Sequence, residues 1–391
     1  MTPQGSESET PIWLEVPRSA YVHVPFCTQR CGYCNFALIT GREDLVGSYL
    51  EALQCELEKQ TEPWPERLPL ETLFLGGGTP TYLQARQRQE LVDTLHRYFD
   101  LSGLHEFSVE SNPNDLTTES VADWRRLGAT RFSLGVQSFQ EHKLQTLERT
   151  HRAEDVFAAS QAVHDSGAEL SLDLIFAAPG ESESDWKNDL QQAIDCRPDH
   201  ISTYQLTFEK GTQFWNRLQH GVLQEVEDGE ALERYQMAIQ FLTANGFQHY
   251  EVSNFAKPGR ESRHNCVYWS GRPYLAFGPA AARYIAGQRL VNHASTTTYL
   301  RRALQTGDAT VEVEPYDPEL RAREYFVFGM RMLRGVSPEA FQRDTGRQLL
   351  PLCGDQISED VRHGWMVWDD STLKLTEAGL AVSDGLWPKY L

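Results

Sequence analysis

The sequence of 391 residues contains no apolar run near the ~20 residues that a bilayer-spanning helix requires, so no membrane span is expected. Positive charge is scarce. There are 36 Lys and Arg against 55 Asp and Glu, a formal net charge of −19. Proteins that hold nucleic acid present a basic face to the phosphates, so a nucleic-acid partner is not expected, and the charge otherwise speaks only to solubility. The opening MTPQGSESETPIW lacks the basic-then-apolar order of a secretory leader. Residues 1–18 read as a short disordered lead-in, and the chain as cytoplasmic. Cysteine is sparse and odd in number, seven in all. That excludes a disulfide scaffold and leaves thiols that stay reduced. Four of them, Cys55, Cys196, Cys266 and Cys353, stand alone and read as small buried apolar residues.

The remaining three cluster in HVPFCTQRCGYCNF, residues 23–36, as Cys27, Cys31 and Cys34. This CxxxCxxC spacing directly after a strand-like run makes plain buried cysteines a poor reading and points to metal or redox chemistry. Structural zinc is four-coordinate, usually from paired CxxC elements. No second CxxC is present, which leaves His23, His151 or His264 as distant fourth ligands. An iron–sulfur cube is normally held by four thiolates. Three would leave one iron open to a ligand that is not protein.

Six β-branched or aromatic runs punctuate the first half: SAYVHV (19–24), ETLFLGG (71–77), EFSVES (106–111), ATRFSLGV (129–136), ELSLDLIF (169–176) and HISTYQL (200–206). Helical patterns separate most of them. Leu45, Tyr49, Leu53 and Leu57 make one helix face, and Leu91, Leu95 and Tyr98 another. Ser182 three residues before Asp185 resembles a capping box. Strand and helix alternating predict βα units on a parallel sheet. Six units are too few for a closed eight-strand barrel, so the expectation is an α/β fold with an open, partial (β/α)6 barrel over 19–300. The strong helix pattern at 318–333 and the alternating stretch from 364 predict a small α+β, winged-helix-like domain over 301–391.

In such sheets chemistry gathers at the C-terminal strand ends. There the sequence places the three cysteines, GGGTPT after the second run, Glu110 before SNPN, Gln137, and APGE after the fifth run. GGGTP supplies bare backbone, and no Lys follows it, so a phosphate-binding Walker loop fails. Further on, HNCVYW (264–269) offers an imidazole and two aromatics. It reads either as a hydrogen-bonded structural histidine among core aromatics or as a heme pocket with an axial ligand.

CxxxCxxC with an aromatic before the last cysteine, Tyr33, is the motif of the radical S-adenosylmethionine (SAM) superfamily. YVHVPFC, LGGGTPTYL, VESNPND, RFSLGVQSF, LDLIFAAPGE, STYQLTFEKGT and YEVSNFAKPGRESRHNCVYW together resemble, in order, blocks of the oxygen-independent coproporphyrinogen III oxidase-like family. The true oxidases carry a further cysteine two residues after the third, where this chain has Phe36. The heme-chaperone branch of the family, HemW, carries HNxxYW, matched by His264, Asn265, Tyr268 and Trp269.

That resemblance implies a [4Fe–4S] cluster on Cys27, Cys31 and Cys34, with the amino and carboxylate groups of SAM on the open iron. It implies a SAM pocket from Tyr21, Tyr33, Gly77, Gly78, Thr79, Glu110, Gln137, Arg149 and Asp173, and heme contacts from His264, Asn265, Tyr268 and Trp269. Heme, a heme-acceptor protein and an electron donor for cluster reduction are the implied partners. The region 301–391 is implied to be a HemN-like C-terminal domain. The runner-up activity is oxidative decarboxylation in porphyrin biosynthesis; a zinc-stabilised binding module is the non-catalytic alternative. The chain departs from the family at 280–282, where AAA replaces a usual Gly-Ala-His.

Overall fold

The computed structural model describes residues 10–391. Strands β1 (Ser19–Val24), β2 (Thr72–Gly77), β3 (Glu106–Ser111), β4 (Arg131–Gln137), β5 (Glu169–Phe176) and β6 (His200–Gln205) run parallel in chain order. They coincide with the six runs read in the sequence. Three shorter strands extend both edges: β7 (Gln248–Glu251), β8 (Asn254–Ala256) and β9 (Leu275–Phe277). The sheet order is β9-β1-β2-β3-β4-β5-β6-β8-β7, with β7 and β8 antiparallel. The result is the expected α/β architecture, an open barrel with a parallel core.

Strand alternation divides each strand between two environments. Ala20, Val22, Val24, Leu73, Leu75, Phe107, Val109, Phe132, Leu134, Leu170 and Leu172 point outward and are fully buried under the helices. Each Val, Leu or Phe among them contributes about 1.5–3 kcal/mol by leaving water. The intervening positions face the lumen, and most of these are polar, Phe74 and Ile175 being exceptions. Register sets them in rungs: Glu110 beside Ser133, Ser171 and His200; Gly135 beside Asp173 and Ser202. Helix Val46–Thr61 buries Tyr49, Leu53 and Leu57 on the predicted face. Ser182 caps helix Glu183–Asp195 reciprocally: its hydroxyl accepts from Asp185 N, and Asp185 accepts from Ser182 N at 2.8 Å.

Helix Arg263–Trp269 lies across the N-terminal end of the strands. The Glu106 carboxylate accepts from Arg263 N at 2.7 Å and from Ser262 Oγ and His264 N at 3.4 Å. An acid at a helix N-terminus satisfies its free amides and its dipole.

The C-terminal part comprises helices Pro318–Arg331, Pro338–Thr345 and Leu349–Arg362, the hairpin Met366–Asp369 with Thr372–Leu375, and helix Glu377–Ala381. It has its own core around Phe326, Met330, Phe341, Cys353, Ile357 and Tyr390. Ile12 and Trp13 belong to that core. The expected disordered lead-in is therefore wrong for residues 10–18. Trp13 is buried in a short 3-10 turn, Ile12–Leu14, because the C-terminal core needs its indole, whose Nε1 donates to Tyr316 Oη at 3.3 Å. Residues 1–9 lie outside the described residues.

The boundary expected at 300/301 falls inside helix Thr296–Thr306, which packs on helix Val46–Thr61. Buried Glu56 ties them: it accepts from Tyr299 Oη at 2.7 Å, Asn292 Nδ2 at 2.6 Å and Gly278 N at 2.9 Å. Burial raises its pKa to about 7, against these bonds. A carboxyl whose folded pKa lies above its unfolded value binds more protons when folded. Its contribution is therefore present at low pH and lost as pH rises through the window from the unfolded value to about 7. The thermal midpoint should fall as pH is raised from 5 to 8 in differential scanning calorimetry. The fall should be shallower in Glu56→Gln.

Candidate functional site

The loop that follows β1 has no regular structure, and its backbone is satisfied by neighbours. Ile39 N donates to Pro25 O at 2.8 Å and Cys27 N to Ile39 O at 3.1 Å, closing the loop at its base. His23 Nε2 meets Ala37 O at 2.7 Å, and Arg30 Nη2 donates to Leu38 O at 2.7 Å. Thr79 N donates to Phe26 O at 2.7 Å and Gly78 N to Val24 O at 2.9 Å, which fixes the glycine segment against the loop.

Glycine is required there. Gly77 has φ +100°, and a Cβ on it would sit 2.3 Å from His23 Cε1. A Cβ on Gly78 would sit 2.5 Å from Phe26 O.

A cavity of about 370 Å³ opens at the C-terminal ends of the strands. Cys27, Cys31 and Cys34 share its lining with Tyr33, Gly77, Gly78, Thr79, Glu110, Gln137, Arg149 and Asp173. All three thiols are free. Glu110 accepts from Gly77 N at 2.7 Å, and its pKa is pushed up to about 7, first by burial and then by Asp173, against the Gly77 bond. Burial also raises Asp173, which accepts from Ser133 Oγ at 3.1 Å. Gln137 adopts φ +65° at a bulge where β4 ends, a conformation that non-glycine residues rarely take. Burial raises the Cys34 thiol as well.

Tyr21 is the member of the expected SAM set that the cavity does not include. It sits on the lumen face, its hydroxyl 3.2 Å from His23 Nδ1 and its ring 6.0 Å from Phe74. In register it pairs with Phe74, short of the glycine segment that His23 and Val24 flank. Conversely, Asn112, Ser133 and Tyr204 line the cavity and were not singled out. Asn112 stands in the quoted SNPN; its signal was its place two residues beyond Glu110 on the same face.

The segment after β6 covers the cysteine loop. Phe214 N donates to Gly32 O at 3.0 Å, the Phe214 ring meets Tyr33 edge-on at 6.0 Å, and Arg217 pairs with Glu148 at 2.6 Å.

A single zinc ion draws its donors to within about 2.3 Å of one point. Among the described residues no three His, Cys, Asp or Glu side chains close around one ion. The thiols instead line the cavity wall, and a cube spaces its ligands by its own width. Three thiols, an unpartnered buried Arg149 Nε and two half-buried carboxylates fit a cluster with a zwitterionic, ribose-bearing ligand.

HNCVYW is elsewhere. His264 is buried, with Nδ1 2.8 Å from Thr72 Oγ1 and Nε2 2.7 Å from Tyr268 Oη. Its ring lies 5.2 Å from Phe74, and burial pushes its pKa down to about 3. Both ring nitrogens are engaged by hydroxyls, which is the hydrogen-bonded histidine among core aromatics of the two readings offered for HNCVYW. Thr72 and Gly77 bound β2, so this histidine lies about five residues from the cluster end, roughly 17 Å along a strand. Tyr268 and Trp269 both line a cavity of about 440 Å³, and Trp269 also lines a neighbouring one of about 560 Å³. Asn265 lines neither; its N donates to Ser262 Oγ at 3.3 Å.

Residues 21–193 match the radical SAM superfamily, and residues 316–382 match the HemN C-terminal domain. The fold resembles that of the coproporphyrinogen III oxidase HemN from Escherichia coli, with TM-score 0.82 at 21% identity, covering 96% of this chain and 90% of that one. Fold and site together define a radical SAM protein of HemN architecture. The heme chaperone HemW of Lactococcus lactis is 32% identical over 97% of this chain and 98% of its own length. That of Bacillus subtilis is 33% identical over 96% and 99%. The chain belongs to the HemW family.

Gly77→Ala should drive a methyl into the His23 ring that anchors the loop at Ala37. Thermal unfolding should show a loss above about 2 kcal/mol, and iron uptake after reconstitution should fall with it.

Proposed function

We propose that this protein is a heme chaperone that carries a [4Fe–4S] cluster on Cys27, Cys31 and Cys34, binds SAM at the open iron, and passes heme to an acceptor protein in the cytoplasm. The observation that carries the reading is the nearly full-length match to HemW proteins. Phe36, 55% exposed at the cavity, stands where the true oxidases place a further cysteine, which agrees with it. When bound, cluster and SAM supply one-electron radical chemistry. Gly77, Gly78 and Thr79 present backbone to the methionyl end of SAM. Glu110 and Asp173 offer acceptors to its ribose and amine, and Arg149 a cation near its carboxylate. An electron donor would supply the cluster.

Heme is assigned to the two cavities beside Tyr268 and Trp269, between barrel and C-terminal domain. They share Trp269, Arg272 and Tyr325. Phe328, Tyr274 and Tyr284 give one an aromatic wall, while Arg263, Arg272 and Arg334 give the other cations for carboxylates. A planar apolar ring with two propionates has that distribution of chemistry.

An anaerobically reconstituted sample should contain about four irons and four sulfides per chain and take up one heme with a Soret shift. Arg272→Ala should weaken heme uptake several-fold. His264→Ala should lower the thermal midpoint and leave the Soret position of bound heme unchanged. One zinc in place of iron, or no heme uptake by the wild type, would sink the reading. Protoporphyrinogen formed from coproporphyrinogen with SAM and dithionite would replace it by the decarboxylase.

A further inference from the structure

Two of the three cluster cysteines are joined by an arc of hydrogen bonds. Arg149 Nη1 lies 3.6 Å from Cys31 Sγ. Its Nη2 donates to Asn112 Oδ1 at 2.8 Å and to Gly135 O at 2.7 Å. Asn112 Nδ2 donates to Thr79 Oγ1 at 2.9 Å. Thr79 Oγ1 lies 3.3 Å from Cys27 Sγ.

Valence fixes the direction of every bond. A guanidinium only donates, so Asn112 must present its oxygen to Arg149 and its amide nitrogen to Thr79. The Thr79 oxygen accepts there, and a metal-bound Cys27 thiolate carries no proton, so to that sulfur the Thr79 hydroxyl can only donate. The arc thus delivers one donor to each of two sulfurs. Its members stand on different supports: Thr79 just past β2, Asn112 just past β3, and Arg149 held to β4 through Gly135. Arg149 is the group that the family resemblance assigns to SAM. Yet Nη2 already has two acceptors and Nη1 faces the thiol.

Hydrogen bonds to the sulfurs are among the terms that set an iron–sulfur potential. One added electron takes the cube from its 2+ to its 1+ state and places negative charge on the thiolates. A donor aimed at sulfur therefore stabilises the reduced form more than the oxidised one. We propose that the Arg149–Asn112–Thr79 arc sets the reduction potential of the cluster, raising it by donating to Cys31 and Cys27. This rests on the cluster assignment above.

The test is a dithionite titration of reconstituted protein without SAM, followed by the electron paramagnetic resonance signal of the reduced cluster. Thr79→Val deletes the hydroxyl and keeps the shape; Thr79→Ser keeps the donor; Arg149→Gln deletes the charge. With iron content at the wild-type level, Thr79→Val and Arg149→Gln should each raise the oxidised-to-reduced ratio at a fixed potential about tenfold, a drop of about 59 mV for a one-electron couple. Thr79→Ser should titrate with the wild type. If Thr79→Val and Arg149→Gln titrate with the wild type, the proposal is overturned. It is equally overturned if they lose iron while the clusters that remain keep the wild-type potential, since that marks a purely structural role. A wild-type preparation that holds no four-iron cluster would overturn it too. That failure belongs to the cluster assignment and shows in the iron and sulfide analysis before any titration.

Discussion

A loop with no helix or strand of its own must hold three sulfurs still. That requirement governs the top of the barrel. Buried backbone groups without partners are costly, so residues 25–39 find theirs both outside the loop and within it. They bond to β1 through the His23 ring, to the glycine segment through Thr79 N, and to each other at Pro25, Cys27 and Ile39. The glycines follow from this closeness. GGGTP approaches the loop so tightly that a methyl at Gly77 or Gly78 would overlap His23 or the Phe26 carbonyl. The sequence reading treated these glycines as bare backbone for a ligand; in the fold their first task is to let two loops touch.

The lumen below explains why polar residues were needed in otherwise apolar strands. Glu110 and Asp173 share the cavity wall, and burial lifts both toward the neutral form. Hydroxyls from Ser133 and Ser202 hold Asp173 from the neighbouring strands. Such a network is costly to bury unless it is satisfied. A ligand that brings its own amine and hydroxyls would complete it. At the other end of the strands Glu106 caps the plugging helix, His264 bonds Thr72 and Phe74 packs on the His264 ring, so polar and aromatic contacts close the lumen together.

The six core strands were legible as β-branched or aromatic runs bounded by helix signals, and Glu106–Ser111, Arg131–Gln137 and the first residues of Glu169–Phe176 also alternate apolar with polar. Strands of three or four residues such as Asn254–Ala256 and Leu275–Phe277 carry no period long enough to read. Tyr21 and Glu110 show the limit for the site. Alternation says which face a side chain takes but not how far along the barrel axis it sits, and the stagger between strands decides that. Trp13 shows another limit, since its burial depends on a core formed some 300 residues later, far beyond any local window. His264 was ambiguous for a related reason: a histidine with two partners and one with a metal look alike until Thr72, 192 positions away, is brought against its ring.

The two ends of the barrel bear on what kind of protein this is. A decarboxylase must bring its substrate's side chain to the SAM-bearing end, because radical transfer needs contact. The aromatic and arginine-lined cavities lie instead beyond the plugging helix, formed with C-terminal residues that contribute nothing to the cluster cavity among the described residues. A planar dicarboxylate resting there would be separated from the cluster by the length of β2. That separation suits a protein in which cluster and cargo influence each other through the barrel without reacting. The plugging helix is then the element to watch, because it lies between the two: its His264 reaches the start of β2, whose far end is the glycine segment at the cysteine loop, and its Trp269 lines both cavities beyond.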